Sequence, residues 1–236
     1  MKTKMKTHHA LCGLLSGLLW LAAGTAPTHA GLIPVANYSF ESPTLSDGVF
    51  TNNSVPSWAL DISNTANFGS AGVDNPLNLQ YPGTTGSPGT LPGTGDGVQL
   101  AYINASGNSI YQDVGLLQPL TIYTLTIAAG TRTDFGAGSS GSISLVNGTS
   151  DTGTVLSSLA ITPPALTFTD FTTTFTTGAG VVGDLTIVLK TTSSGNSEVN
   201  FDNVRLDATA APEPTSAALL LGSGAMLLLR RRRPAV

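Results

Sequence analysis

The chain has 236 residues, of which 41% are hydrophobic, 10% charged and 6% aromatic, and it carries a formal net charge of −4. All three histidines (His8, His9, His29) and the single cysteine (Cys12) fall within residues 1–30. Residues 31–211 therefore lack the side chains for Ser-His-Asp or Cys-His catalysis, for zinc or haem held through His or Cys, and for disulfides. Of the 14 acidic residues all but Glu213 fall in 31–211, against three basic ones, Arg132, Lys190 and Arg205, a net charge of −10. So acidic a surface excludes nucleic acid and anionic lipid head groups as partners.

At the N-terminus, Lys2, Lys4 and Lys6 precede an apolar run over 10–23, and Thr28-His29-Ala30 offers small residues before Gly31. This pattern predicts a secretory signal peptide over 1–30, removed by signal peptidase after Ala30. From there on Thr, Ser, Gly and Val dominate and no 3.6-residue periodicity is sustained. Short alternating or β-branched runs, bounded by Gly, Pro, Asn and Ser, predict strands. They fall at 33–40, 57–62, 97–103, 109–114, 121–129, 142–146, 155–161, 168–176, 184–190 and 197–206. In the fifth, Tyr123, Leu125 and Ile127 share one face and Thr124 and Thr126 the other. Ten such runs over 31–207 predict an all-β fold, one antiparallel β-sandwich (jelly roll). Two long irregular stretches interrupt them. Residues 64–79 are one, and 81–97 (YPGTTGSPGTLPGTGDG) reads as an excursion over one sheet edge. Long loops on a rigid sandwich are where a binding site would lie.

Residues 208–214 read as a linker ending in Pro212-Glu213-Pro214, whose prolines block helix formation around Glu213. The next 15 residues, 215–229, carry no charge, and Arg230, Arg231, Arg232 and Arg233 follow. As a helix that apolar segment spans ~22 Å, against ~30 Å for a hydrocarbon core, which is short for a permanent anchor. The order of motif, apolar helix and arginine cluster resembles the PEP-CTERM sorting signal of Gram-negative bacteria. That resemblance implies transient anchoring in the inner membrane through the uncleaved tail, removal by an exosortase-type protease, and delivery to the cell surface or an extracellular polysaccharide matrix.

Within the sandwich, the chain opens with Asn37-Tyr-Ser-Phe40-Glu41 and closes with Phe201-Asp202-Asn203-Val204-Arg-Leu206. Tyr111-Gln112-Asp-Val114 and Pro119-Leu-Thr-Ile-Tyr123-Thr-Leu125 lie between. At these residues it resembles carbohydrate-binding-module-like (galactose-binding-like) jelly rolls over about 35–207. The resemblance implies a structural Ca2+ held by Glu41 and Asp202, with backbone carbonyls completing the shell. Two adjacent carboxylates would repel without a cation, and hard oxygens suit Ca2+. The alternative reading has Glu41 solvated and Asp202 bonded to a turn. Trp58 reads as a core residue opening the second strand. Tyr81, Tyr102, Tyr111 and Phe135 are the better candidates for lining a cleft.

The expectation from these features is an exported surface or matrix protein whose domain binds an extracellular glycan without catalysis. The opening and closing motifs are also similar to those of the cyanobacterial Stig cyclases, which act on indole terpenoids. That second resemblance implies acid-promoted chemistry by a carboxylic acid and a tyrosine, here Asp202 and Tyr102, in an apolar pocket that raises the acid's pKa. A glycoside hydrolase needs two carboxylates facing across a cleft, and no pair is nominated. Since both ends are read as signals, a polypeptide of residues 31–211 is expected to fold alone. Far-UV circular dichroism should show β structure, and a coil spectrum even with Ca2+ would refute the single-domain reading.

Overall fold

The computed structural model describes residues 31–86, 89–135, 138–195 and 197–211. The expected signal peptide (1–30) and the linker motif, apolar segment and arginines (212–236) lie outside the described residues. Among the described residues no helix is long and apolar enough to cross a membrane.

Among the described residues eleven strands form two antiparallel sheets. They are β1 (Gly31–Ile33), β2 (Ala59–Asp61), β3 (Ala71–Asp74), β4 (Leu100–Asn104), β5 (Ser109–Leu116), β6 (Thr121–Gly130), β7 (Gly141–Asn147), β8 (Thr154–Ile161), β9 (Thr169–Thr176), β10 (Asp184–Thr191) and β11 (Glu198–Ala210). The first sheet has the order β3-β4-β11-β6-β9, and the second β2-β5-β10-β7-β8. The long β11 is shared at one edge. Its first residues pair with β4 and its last with β1, Ile33 opposite Leu206. Between them Val204 donates its N–H to the Tyr38 carbonyl at 2.9 Å. This is the β-sandwich expected from the sequence.

Alternation along the strands places the core. On β6, Tyr123, Leu125 and Ile127 are fully buried between the sheets, with Thr124 and Thr126 opposite. Ile103, Val199 and Phe201 meet Ile143, Ile187 and Leu189 from the second sheet in the same cluster. Each such side chain stabilises the fold by ~1.5–3 kcal/mol relative to exposure. Trp58 is 5% exposed and packs on Phe40 with ring centroids 5.5 Å apart, as a core residue.

Three expectations need correction. The run 33–40 is not one strand, because the backbone turns left-handed at Asn37 (φ 50°) and Phe40 (φ 54°). The Asn37 side chain holds that turn, donating to the Ser42 and Pro56 carbonyls and accepting from the Ser42 N–H. The irregular stretch 64–79 contains β3, whose Ala-Gly-Val-Asp sequence carries little β signal. A side chain at Gly72 would meet the Thr51 carbonyl at 2.2 Å and the Tyr102 ring at 2.8 Å, so only glycine lets the strand lie there. Finally, the 81–97 segment does not skirt an edge. Tyr81 and Leu91 are buried on Leu100, Tyr102, Ala128 and Phe168, so this segment covers the outer face of the first sheet.

Candidate functional site

The site lies on the same outer face of the first sheet, beside the covering segment. Along β11 the apolar Val199 and Phe201 face the main core, so Glu198, Asn200 and Asp202 face outward. They are nevertheless at most 2% exposed. Register sets their neighbours: Glu198 lies opposite Asn104 and Asn200 opposite Tyr102 on β4, while Tyr102 lies opposite Gly72 and Leu100 opposite Asp74 on β3. One polar face is thereby assembled from three strands and roofed by loops.

A cavity of about 720 Å³ opens on this face, lined by Asp74, Tyr102, Asn104, Arg132, Asp134 and Glu198, with Phe50, Phe68 and Phe135 among its other walls. Arg132 is its electrostatic centre. The guanidinium pairs with Asp134 through two hydrogen bonds, Nε–Oδ1 at 3.0 Å and Nη2–Oδ2 at 2.7 Å. Its Nη1 donates to Asp74 Oδ2 at 2.8 Å and lies 3.7 Å from Glu198 Oε1. The Phe135 ring covers it at 4.8 Å. Glu198 Oε1 also accepts from Asn200 Nδ2 at 2.8 Å, and Asn200 Oδ1 accepts from the Tyr81 hydroxyl at 2.7 Å.

Three carboxyls thus share one guanidinium, and they cannot all be anions at low cost. The Arg132 hydrogen bonds hold Asp134 below the usual carboxylate range. Burial raises Asp74 to about 6, against the opposing pull of Arg132. Burial raises Glu198 further, to about 7. Glu198 has the longest contact to Arg132 of the three and is the most enclosed, so it is the group that keeps a proton near neutrality. Its Oε2 makes no hydrogen bond among the described residues.

The sequence-nominated residues separate. Tyr102 lines the cavity, its hydroxyl donating to the Thr51 carbonyl at 2.6 Å, and burial raises its pKa to about 12. Phe135 also lines it. Tyr81 is a fully buried part of the roof, 5.0 Å from the Phe168 ring, and Tyr111 lies on β5 in the other sheet. Asp202 is not among the cavity residues. Its Oδ2 accepts the Asp96 N–H at 2.5 Å, while its Oδ1 and the hydroxyl of Thr94 are buried without a partner among the described residues. Burial raises Asp202 well above the usual range, and the Asp96 and Glu41 carboxylates add to the rise. Glu41 Oε1 accepts the Val98 and Gln99 N–H groups at 2.7 and 2.8 Å. Asp74, Asn104, Arg132 and Glu198 were not nominated from the sequence. The one available signal was scarcity, Arg132 being one of three cations and Glu198 one of two glutamates in residues 31–211.

A family model described as HpiC1-like, HpiC1 cyclase, matches residues 31–207. The Stig cyclase Fisc from Fischerella sp. TAU, solved with (3Z)-3-(1-methyl-2-pyrrolidinylidene)-3H-indole, is 24% identical with a TM-score of 0.62, covering 78% of this chain and 100% of that one. A cyclase from the same organism in complex with 4-(1H-indol-3-yl)butan-2-one is 25% identical with a TM-score of 0.60, at the same coverage. A carbohydrate-binding module, CBM4, is also matched, at 17% identity and a TM-score of 0.44, covering 75% of this chain and 100% of that one. No curated protein matches the sequence. The family match overturns the expectation of a non-catalytic glycan-binding domain. Carbohydrate-binding-like motifs such as Phe201-Asp202-Asn203-Val204 lie on the sandwich framework, which proteins of unlike activity can share.

The ion network yields a test. Arg132→Gln leaves buried carboxylates without their cation, which costs ~3–5 kcal/mol. Asp74 and Glu198 hold protons more tightly folded than unfolded, so stability falls as pH rises from about 4 to about 7 and the penalty is complete above that. Urea unfolding should therefore show a larger Arg132→Gln loss at pH 8 than at pH 5. An equal loss at both would contradict the network.

Proposed function

This chain belongs to the HpiC1-like cyclase family, and from that premise we propose that it catalyses an acid-promoted cyclisation of an indole-bearing, largely apolar substrate in the cavity, with Glu198 as proton donor. The observation that carries this reading is a fully enclosed carboxyl, held at about 7 by burial, on the wall of an aromatic-lined cavity. A general acid works best when its pKa lies near the operating pH. The indole ligands of the Fischerella cyclases support the substrate class.

The chemistry balances as an isomerisation. The protonated Glu198 donates its proton to an alkene carbon of the substrate, leaving a carbocation and a carboxylate. The indole π system closes the new C–C bond onto the cationic carbon, and loss of a proton from the product returns the carboxyl to its acid form. The aromatic walls at Phe50 and Phe68 and the nearby carboxylates favour the cationic stage. Asp74 and Asp134 stay paired to Arg132 and hold the field around Glu198. Tyr102 supplies a wall and an acceptor oxygen, since its proton is committed to Thr51.

Glu198→Gln should lower kcat/KM for cyclisation of a 3-alkenyl indole by ~10²–10³. In the unsubstituted protein kcat/KM should fall about tenfold per pH unit above about 7, as the acid form is lost. A Glu198→Gln protein of full activity, or a flat profile from pH 5 to 9, would contradict the assignment.

Calcium is part of the same reading. Asp202 Oδ1 and the Thr94 hydroxyl are buried oxygens without partners among the described residues, and Glu41 and Asp96 bring further negative charge beside them. Among the described residues no group of three or more His, Cys, Asp or Glu side chains is arranged to hold a metal, so hydroxyl and backbone oxygens would complete a shell around Glu41 and Asp202. Hard oxygens of this kind suit Ca2+, whose role would be to fix the covering segment at 94–99. Saturating Ca2+ should then raise Tm by ~5–10 °C over a chelated sample, taking ~2.7 kcal/mol at a hundredfold excess over Kd. Asp202→Asn should remove the difference. Identical Tm values with and without Ca2+ would rule the site out.

The ends of the chain add a location. Export through residues 1–30, and exosortase-type sorting through Pro212-Glu213-Pro214 and Arg230 to Arg233, rest on the order of those motifs in the sequence.

A further inference from the structure

Asn104 ends β4 directly opposite Glu198 in the β4–β11 ladder, so on this antiparallel pair their side chains stand side by side, with Cβ atoms ~5 Å apart. It lines the cavity, is 6% exposed, and its Oδ1 is enclosed without a hydrogen-bond partner. The backbone around it is fully engaged. Its N–H donates to the Ser70 carbonyl at 2.8 Å, and its carbonyl accepts from Asn108 Nδ2 at 2.8 Å. The backbone of Asn104 is thus held at a fixed place, and among the described residues no N–H group or hydroxyl donates to its Oδ1. The other polar groups nearby are committed: the Tyr102 hydroxyl to Thr51, Asn200 to Glu198 and Tyr81, and Arg132 to Asp74 and Asp134.

A buried acceptor left unpaired is costly, and a site built around one discriminates strongly against molecules that lack the matching donor. We propose that Asn104 is a specificity-determining residue that accepts a hydrogen bond from the ring N–H of the substrate and so holds the ring beside Glu198. The cavity then selects free N–H indoles over N-alkylated ones. This inference rests on the cyclase reading above and adds to it the feature of the substrate that is recognised. Asn104 acts by positioning: the proton moves from Glu198, while Asn104 fixes which carbon lies within its reach.

The test is calorimetric titration with 4-(1H-indol-3-yl)butan-2-one and its N-methyl analogue. The unsubstituted protein should bind the N–H compound about tenfold more tightly. Asn104→Leu, which removes the acceptor at similar size, should bind both alike, and Asn104→Asp, which keeps an acceptor, should retain the preference. Asn104→Ser, whose hydroxyl is too short to reach the ring, is expected to behave as the leucine variant and takes its place if that one does not fold. Equal binding of both compounds by the unsubstituted protein would overturn the role of Asn104 and leave the cyclase reading standing, as would a preference that survives in Asn104→Leu. Failure of both compounds to bind would remove the indole reading and this inference together.

Discussion

The outward face of β11 is the constraint on which the rest of this molecule depends. Glu198, Asn200 and Asp202 alternate with core residues and point away from the sandwich, yet loops enclose all three. Burying such groups is costly unless each finds a partner, and the structure around them is the set of partners. Glu198 takes Arg132 and Asn200, Asn200 takes Tyr81, and Asp202 takes the Asp96 N–H. Tyr81 and Asp96 both belong to the segment joining β3 to β4. The polar face therefore fixes the roof, which in turn buries Asn200 and Asp202.

Enclosure also sets the reactivity. In water a glutamic acid is ionised at neutral pH and donates a proton poorly. Here Arg132 is already neutralised by Asp74 and Asp134, and a third anion beside them is disfavoured. Burial is the larger cause of the proton held by Glu198, and the Asp74 and Asp134 charges add to it. Aromatic walls at Phe50 and Phe68 suit the cation such a proton would generate. The second enclosed acid, Asp202, lies at the other end of the same face. Its Oδ1, without a partner among the described residues, lies outside the cavity.

Much of the framework could be read from the chain. Period-2 alternation in Tyr123-Thr-Leu125-Thr-Ile127 gave the strand and its buried face, and Tyr102 was nominated for the cavity it lines. Two things escaped for physical reasons. β3 is Ala-Gly-Val-Asp, held by its pairing with β4 and by the space at Gly72, so local propensity was silent. Glu198 and Asn200 occupy the polar half of an alternating strand, the pattern of a solvated face. Nothing in β11 itself says that a segment 120 residues away in sequence folds over it, as the Tyr81–Asn200 hydrogen bond shows (119 apart). The resemblance to carbohydrate-binding jelly rolls was carried by framework motifs, and it led away from the function to which the buried face points.

The central claim is that Glu198 holds its proton to neutrality. Residues 31–211 contain two glutamates, Glu41 and Glu198, so carbon-13 labelling of the glutamate carboxyl in a 31–211 polypeptide gives two resonances to assign and titrate. The account predicts that the Glu198 signal moves with a midpoint near pH 7. A Glu198 midpoint at the ordinary glutamate value of about 4.3 would contradict it, because the assigned proton donor would then be ionised at neutrality.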